Sequence, residues 1–98
     1  MKTKRQYRVI LSRQYKKGVR RLEKSGFDLS PLENVVEALS NNESLSPMHH
    51  DHPLKGKFQG LRTCHIGPDW LLMYEKNNNQ LYLLLVRTGT HRDVLGIE

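Results

Sequence analysis

Apolar positions along this chain change their spacing three times. Tyr7, Val9 and Leu11 alternate with Arg8 and Ile10, which predicts a first strand. Ser12 can cap a helix behind it. There Tyr15, Val19 and Leu22 recur at i, i+4 and i+7, giving one apolar face. Gly18 weakens that helix by about 1 kcal/mol relative to alanine, so packing has to hold it. Gly26 is placed to end it. Ser30, Pro31 and Glu33 then predict a capping box. Leu32, Val35, Val36 and Leu39 follow as the stripe of a second helix, which ends near Asn41-Asn42. The short link makes the pair an antiparallel helical hairpin.

Beyond it the pattern breaks. Residues 41–57 are rich in Ser, Asn, Pro, Gly and His without periodicity, and read as one long loop. Strands are predicted over Phe58–Ile66, Trp70–Lys76 and Leu81–Thr88, with Asn77-Asn78-Asn79 as a turn. Residues 81–86 are apolar on both parities, as in a central strand covered on both faces. Residues 1–6 are expected to fray, and residues 91–98 to form a tail with about one helical turn. The predicted fold is α+β in the order β-α-α-β-β-β, a single domain over residues 1–98. Both helices cover one face of a twisted, mainly antiparallel sheet, and the other face is partly open.

Composition narrows the class. The 98 residues carry 37% apolar and 27% charged side chains, which suits one modest core rather than disorder. No apolar run is long enough for a membrane helix. The N-terminal residues lack the apolar core of a signal peptide, and the lone Cys64 allows no internal disulfide, so a reducing cytoplasm is expected. Charge is uneven. Residues 1–24 hold ten Lys/Arg against one acid, whereas residues 25–98 hold six against nine. The basic block, with Arg13, Lys16, Lys17, Arg20, Arg21 and Lys24, is a footprint for a polyanion or an acidic partner, unless it is only a solvated face.

Three chemistries compete for the titratable groups. His49, His50, Asp51 and His52 could suggest a metal, but structural zinc usually recruits more cysteine, so no metal is expected and His49 and His50 are read as solvated. Cys64 lies beside His65, but neighbouring strand residues face opposite ways, so it reads as a small core residue. The third chemistry is acid–base cleavage of a phosphodiester. It needs a base for the 2′-hydroxyl, an acid for the leaving oxygen and a fixed cation for the phosphorane-like transition state. Histidine suits both proton roles and arginine the phosphate. Three segments offer His52, then His65 with Asp69, then Arg87 with His91. The middle one, Arg62–Tyr74, sets an acid and an indole in a turn where a plain hairpin would have Asn-Gly.

The strings Asp51-His52-Pro53-Leu54-Lys55-Gly56, Arg62-Thr63-Cys64-His65-Ile66-Gly67-Pro68-Asp69-Trp70 and Arg87-Thr88-Gly89-Thr90-His91 resemble the YafQ branch of the RelE/ParE toxin superfamily. The resemblance covers nearly the whole chain. It implies a RelE-like fold and a toxin of a type II toxin–antitoxin pair, a ribosome-dependent endoribonuclease that cuts mRNA in the A site without a cofactor. By match, His52, His65, Asp69 and His91 form the acid–base set, and Arg87 holds the phosphate. RNA contacts are expected from the basic helix, from Lys55 and Lys57, and from Trp70, unless Trp70 is simply core. Leu95 stands where the family usually has an aromatic residue.

The implied partners are mRNA, the ribosome and a DinJ/RelB-like antitoxin, acidic and partly disordered when free. Operator DNA would be bound through that antitoxin. Two alternatives remain at this point: a non-catalytic ParE-like inhibitor of DNA gyrase, and a basic RNA-binding protein without chemistry.

Overall fold

The computed structural model describes residues 6–96. Its elements in order are β1 (Arg8–Leu11), α1 (Arg13–Lys24), α2 (Ser30–Ser40), β2 (His52–Pro53), β3 (Arg62–Gly67), β4 (Trp70–Asn77), β5 (Tyr82–Gly89) and α3 (His91–Leu95). The strands form one sheet in the order β1-β5-β4-β3-β2. Only β1 and β5 run parallel, because the α1–α2 hairpin and the chain beyond it separate them. The α+β architecture expected from the sequence is therefore present, with one more strand than expected. The loop over 41–57 contains β2, whose His52 and Pro53 pair with Thr63 and Arg62. Two residues cannot show a period-two pattern, so the strand was invisible in the sequence. The third strand starts at Arg62 rather than Phe58, which lies in a short 3-10 turn over Gly56–Phe58. Of the predicted frayed end, residues 1–5 lie outside the described residues, as do residues 97–98 of the tail.

The caps divide instructively. The Ser12 hydroxyl accepts the Tyr15 N–H at 3.0 Å and donates to the Val86 carbonyl at 2.6 Å, so it starts α1 and ties it to the sheet. The capping box expected at Ser30 and Glu33 does not form. Asp28 Oδ1 accepts the Ser30 N–H at 2.9 Å, the helix begins at Ser30 itself, and Leu29 takes the cap position with no side-chain bond. A carboxylate two residues upstream has captured the amide first. A capping box occurs instead at Thr90 and Asp93, where it starts α3.

Two cores lie on opposite faces of the sheet. Under α1 and α2, Tyr15, Leu22, Leu32, Val35 and Leu39 pack against Cys64, Trp70, Leu72, Tyr74, Leu83 and Leu85. On the other face Leu71, Met73 and Val94 are buried beneath α3, with Leu54, Phe58 and Leu61 against them. That face is thus partly covered, and His91 opens α3 with only Thr90 between it and the end of β5. Gly18 explains how α1 sits so close. A Cβ there would lie 2.3 Å from the Thr88 carbonyl oxygen, so only glycine lets the helix backbone reach β5. The first strand departs from expectation. Tyr7 is buried, but Val9 and Leu11 remain 41% and 44% exposed, because the helices do not extend over this edge.

Candidate active site

Register decides which side chains share a face. Paired residues in neighbouring strands point the same way. His52 pairs with Thr63, Thr63 with Met73, and His65 with Leu71, so His52 and His65 lie on the α3 side of the sheet. Arg87 would not join them by simple alternation. Leu83 and Leu85 belong to the core under α1 and α2, and Arg87 has their parity. The β4–β5 ladder, however, passes from Tyr74↔Leu85 to Met73↔Arg87. Val86 is the extra residue of a β-bulge, which turns Arg87 to the Met73 face. The bulge brings the arginine round to the face of the histidines.

The turn of the central hairpin supplies the acid. Pro68 stands at the first central position and Asp69, with φ 50°, at the second. This is the pattern of a type II turn, with aspartate tolerating the left-handed conformation. Asp69 Oδ1 accepts the His91 backbone N–H at 3.0 Å and the His91 Nδ1 at 2.6 Å. The hydrogen bonds from the His91 backbone and ring hold the Asp69 carboxyl below its ordinary pKa. An ionised carboxylate only accepts, so Nδ1 carries the proton and Nε2 is left for chemistry. The odd turn therefore orients a histidine from a segment 22 residues away.

His91, His65 and His50 form a row. Ring centroids are 5.6 Å apart between His65 and His91, and 5.3 Å apart between His50 and His65. Burial, and then the neighbouring His50, His91 and His52, lower the His65 pKa below 6.5. His65 is thus neutral at neutral pH and able to accept a proton. His52 Nδ1 lies 2.6 Å from the His50 carbonyl oxygen, which also only accepts. Its proton is on Nδ1 and its Nε2 is free.

Several neighbours support these groups without matching a sequence signal. Tyr74 OH donates to Asp51 Oδ1 at 2.5 Å, and Arg62 Nε lies 3.3 Å from the same oxygen. Asp51 thereby pins β2 to the sheet next to His52. Trp70, expected to contact RNA unless it is simply core, lies in the core. It is 6% exposed, packs edge-on against Phe27 and donates from Nε1 to the Thr88 hydroxyl at 3.1 Å. Thr88 in turn donates to the Leu71 carbonyl at 2.8 Å. Leu95 packs into the small core beside Leu71, Met73 and Val94. Cys64 is buried, and burial pushes its thiol to about 12, which suits packing and not nucleophilic attack.

The basic residues are spread around this frame. Arg13, Lys16, Lys17, Arg20, Arg21 and Lys24 are all exposed along α1. Arg21 Nη1 reaches Asp93 of α3 at 3.2 Å, so the basic helix borders the segment that carries His91. Lys55 precedes and Lys57 lies within the 3-10 turn after β2, with Lys57 Nζ 5.2 Å from the centre of the Phe58 ring. Among the described residues no group of three or more His, Cys, Asp or Glu is arranged to hold a metal ion. Likewise, none of their helices is long and apolar enough to cross a membrane.

Residues 7–96 match the family described as bacterial toxin of type II toxin–antitoxin system, YafQ. The mRNA interferase toxin YafQ of Escherichia coli K12 is 37% identical over 89 residues, covering 90% of this chain and 95% of that protein. The crystal structure of the E. coli DinJ–YafQ toxin–antitoxin complex contains a chain with 36% identity and a TM-score of 0.84, covering 93% of this chain and 99% of that one. A metal-bound toxin from Helicobacter pylori is 39% identical with a TM-score of 0.83, covering 90% and 98%.

Proposed function

The chain belongs to the YafQ family of bacterial type II toxin–antitoxin toxins, and on that premise we propose that it cuts mRNA on the translating ribosome by acid–base catalysis. The observation that carries the reading is the Asp69–His91 pair, set on the same face as His65 and Arg87. The 2′-hydroxyl oxygen of one nucleotide attacks the adjacent phosphorus. Its proton passes to a neutral histidine, for which His65 and His52 both stand ready. Arg87 stabilises the charge on the pentacoordinate phosphorus through its planar guanidinium. His91, oriented by Asp69, gives a proton to the departing 5′-oxygen. The bond to that oxygen breaks, leaving a 2′,3′-cyclic phosphate and a 5′-hydroxyl. None of these steps requires a metal.

The basic α1 helix fits ribosomal RNA phosphates, which makes the activity strongly salt-dependent. The cognate antitoxin has a separate place to bind. A groove of about 530 Å³ is lined by Val9, Leu11, Tyr15, Val19, Leu32 and Val36, with Lys16, Arg20, Glu33 and Glu37 also lining it. An amphipathic segment with an apolar stripe suits it, and operator DNA is then reached through the antitoxin. The site of action is the cytoplasm, where ribosomes translate.

The test is to map mRNA ends after incubating purified toxin with translating ribosomes. Cuts inside A-site codons are expected. Intact mRNA with gyrase-dependent DNA breaks, or RNA binding without cuts, overturns the proposal. Arg87→Lys sharpens the test, because a point charge cannot replace a bidentate fork. It is expected to slow cleavage at saturating ribosome concentration.

A further inference from the structure

We propose that His50 is a positioning residue of this site: its carbonyl sets the tautomer of His52, and its imidazole buttresses His65. The proposal rests on the reading of the site as an acid–base centre. It starts from the backbone. His50 adopts φ 48° and ψ 43°, the left-handed conformation that only a few per cent of non-glycine residues use. Such a residue persists where its surroundings fix it on both sides. On one side the Pro47–His49 turn holds it, with the His50 N–H donating to the Pro47 carbonyl at 3.1 Å. On the other side Asp51 is clamped by Tyr74 and Arg62. The chain is therefore reversed at one residue between two anchors.

The reversal has two products. It brings the His50 carbonyl oxygen to 2.6 Å from His52 Nδ1, which leaves the His52 Nε2 unprotonated and free. It also stands the His50 ring edge-on to His65, with centroids 5.3 Å apart. An imidazolium at His50 opposes a second positive charge on His65, in the same direction as the lowered pKa there. The titratable groups facing His65 are His50, His52 and His91, with Asp69 beyond His91. Beyond His50 a cavity is lined by Glu43, Asp51, Arg62, Tyr74 and Lys76.

Two substitutions separate the backbone from the ring. Both His50→Asn and His50→Val remove the imidazole, but asparagine tolerates the left-handed conformation and valine does not. The readouts are ¹⁵N NMR of the histidine rings across pH and single-turnover cleavage of ribosome-bound mRNA. In the wild type, His52 is expected as the Nδ1–H tautomer. His50→Asn should keep that tautomer, raise the midpoint of His65 and move the acid limb of the cleavage profile to higher pH. His50→Val should in addition lose the His52 tautomer preference and cleave up to about 10²-fold more slowly, the effect of a misplacement of about 1 Å. Unchanged His65 midpoints and His52 tautomer in both variants overturn the proposal, as does slower cleavage with unchanged ring signals. If the wild type itself fails to cut mRNA, the functional reading falls, while the NMR arms still decide whether His50 positions its neighbours.

Discussion

The two faces of this sheet are built from the same strands and differ in almost every other respect. Under α1 and α2 the sheet carries a continuous core of leucines, valines and tyrosines. Across it, a smaller cluster around Leu71, Met73 and Val94 covers only part of the surface, and His52, His65, Arg87 and His91 share the remainder. The first face supplies stability through buried area. The second carries groups that remain solvated enough to exchange protons. The division lets the site side tolerate a left-handed His50 and Asp69 and a bulge at Val86, because the opposite side holds the strands in place. Chemistry and folding energy are thus separable by substitution.

The strongest challenge to that separation on the helix side is Leu72→Ala. Leu72 is 0% exposed, and its loss should cost about 2–5 kcal/mol in a denaturant titration. Whatever protein remains folded should still cleave. Gly18→Ala comes next. Helix propensity alone would add about 1 kcal/mol of stability. The Thr88 carbonyl 2.3 Å from the new methyl reverses the sign, and a net loss of about 1–3 kcal/mol is expected from thermal melting. A gain would mean that α1 can draw away from β5. The smallest effect lies on the site side. The His65 pKa is lowered in the fold, so the unfolded chain binds more protons as pH drops below 6.5. Stability associated with His65 is therefore full above that pH and is lost as pH falls through the lower, folded value. His65→Gln should flatten this acid-side decline in melts taken from pH 7 downward. An unchanged slope would show that His65 titrates as it does in the unfolded chain.

Much of this was legible in the residues. Periodicity located α1 and α2, and turn residues located β4 and β5 within one or two positions. Strand parity, with the usual burial of a lone cysteine, identified Cys64 as packing. What escaped lies below the resolution of those signals. β2 is too short to alternate. The Val86 bulge shifts Arg87 to the other face, and nothing in an all-apolar run marks which residue is extra. The capping motif at Ser30 was a true pattern defeated by a nearer competitor, Asp28. His50 looked like any loop histidine, since a positive φ on a non-glycine residue leaves no trace in sequence. Asp69 and His91 were found as residue types, but their hydrogen bond depends on the turn at Pro68 meeting the start of α3.

The most direct measurement is made on one sample of His91→Ala, melted and assayed in parallel on translating ribosomes. The His91 ring is partly exposed and its bond to Asp69 lies at the surface. Its removal should shift Tm by no more than about 2–4 °C. Cleavage should fall by about 10²–10⁴-fold, the usual contribution of a proton-transfer residue. Cleavage at the wild-type rate, or a loss of cleavage matched by loss of the fold, would contradict the assignment of chemistry to this face.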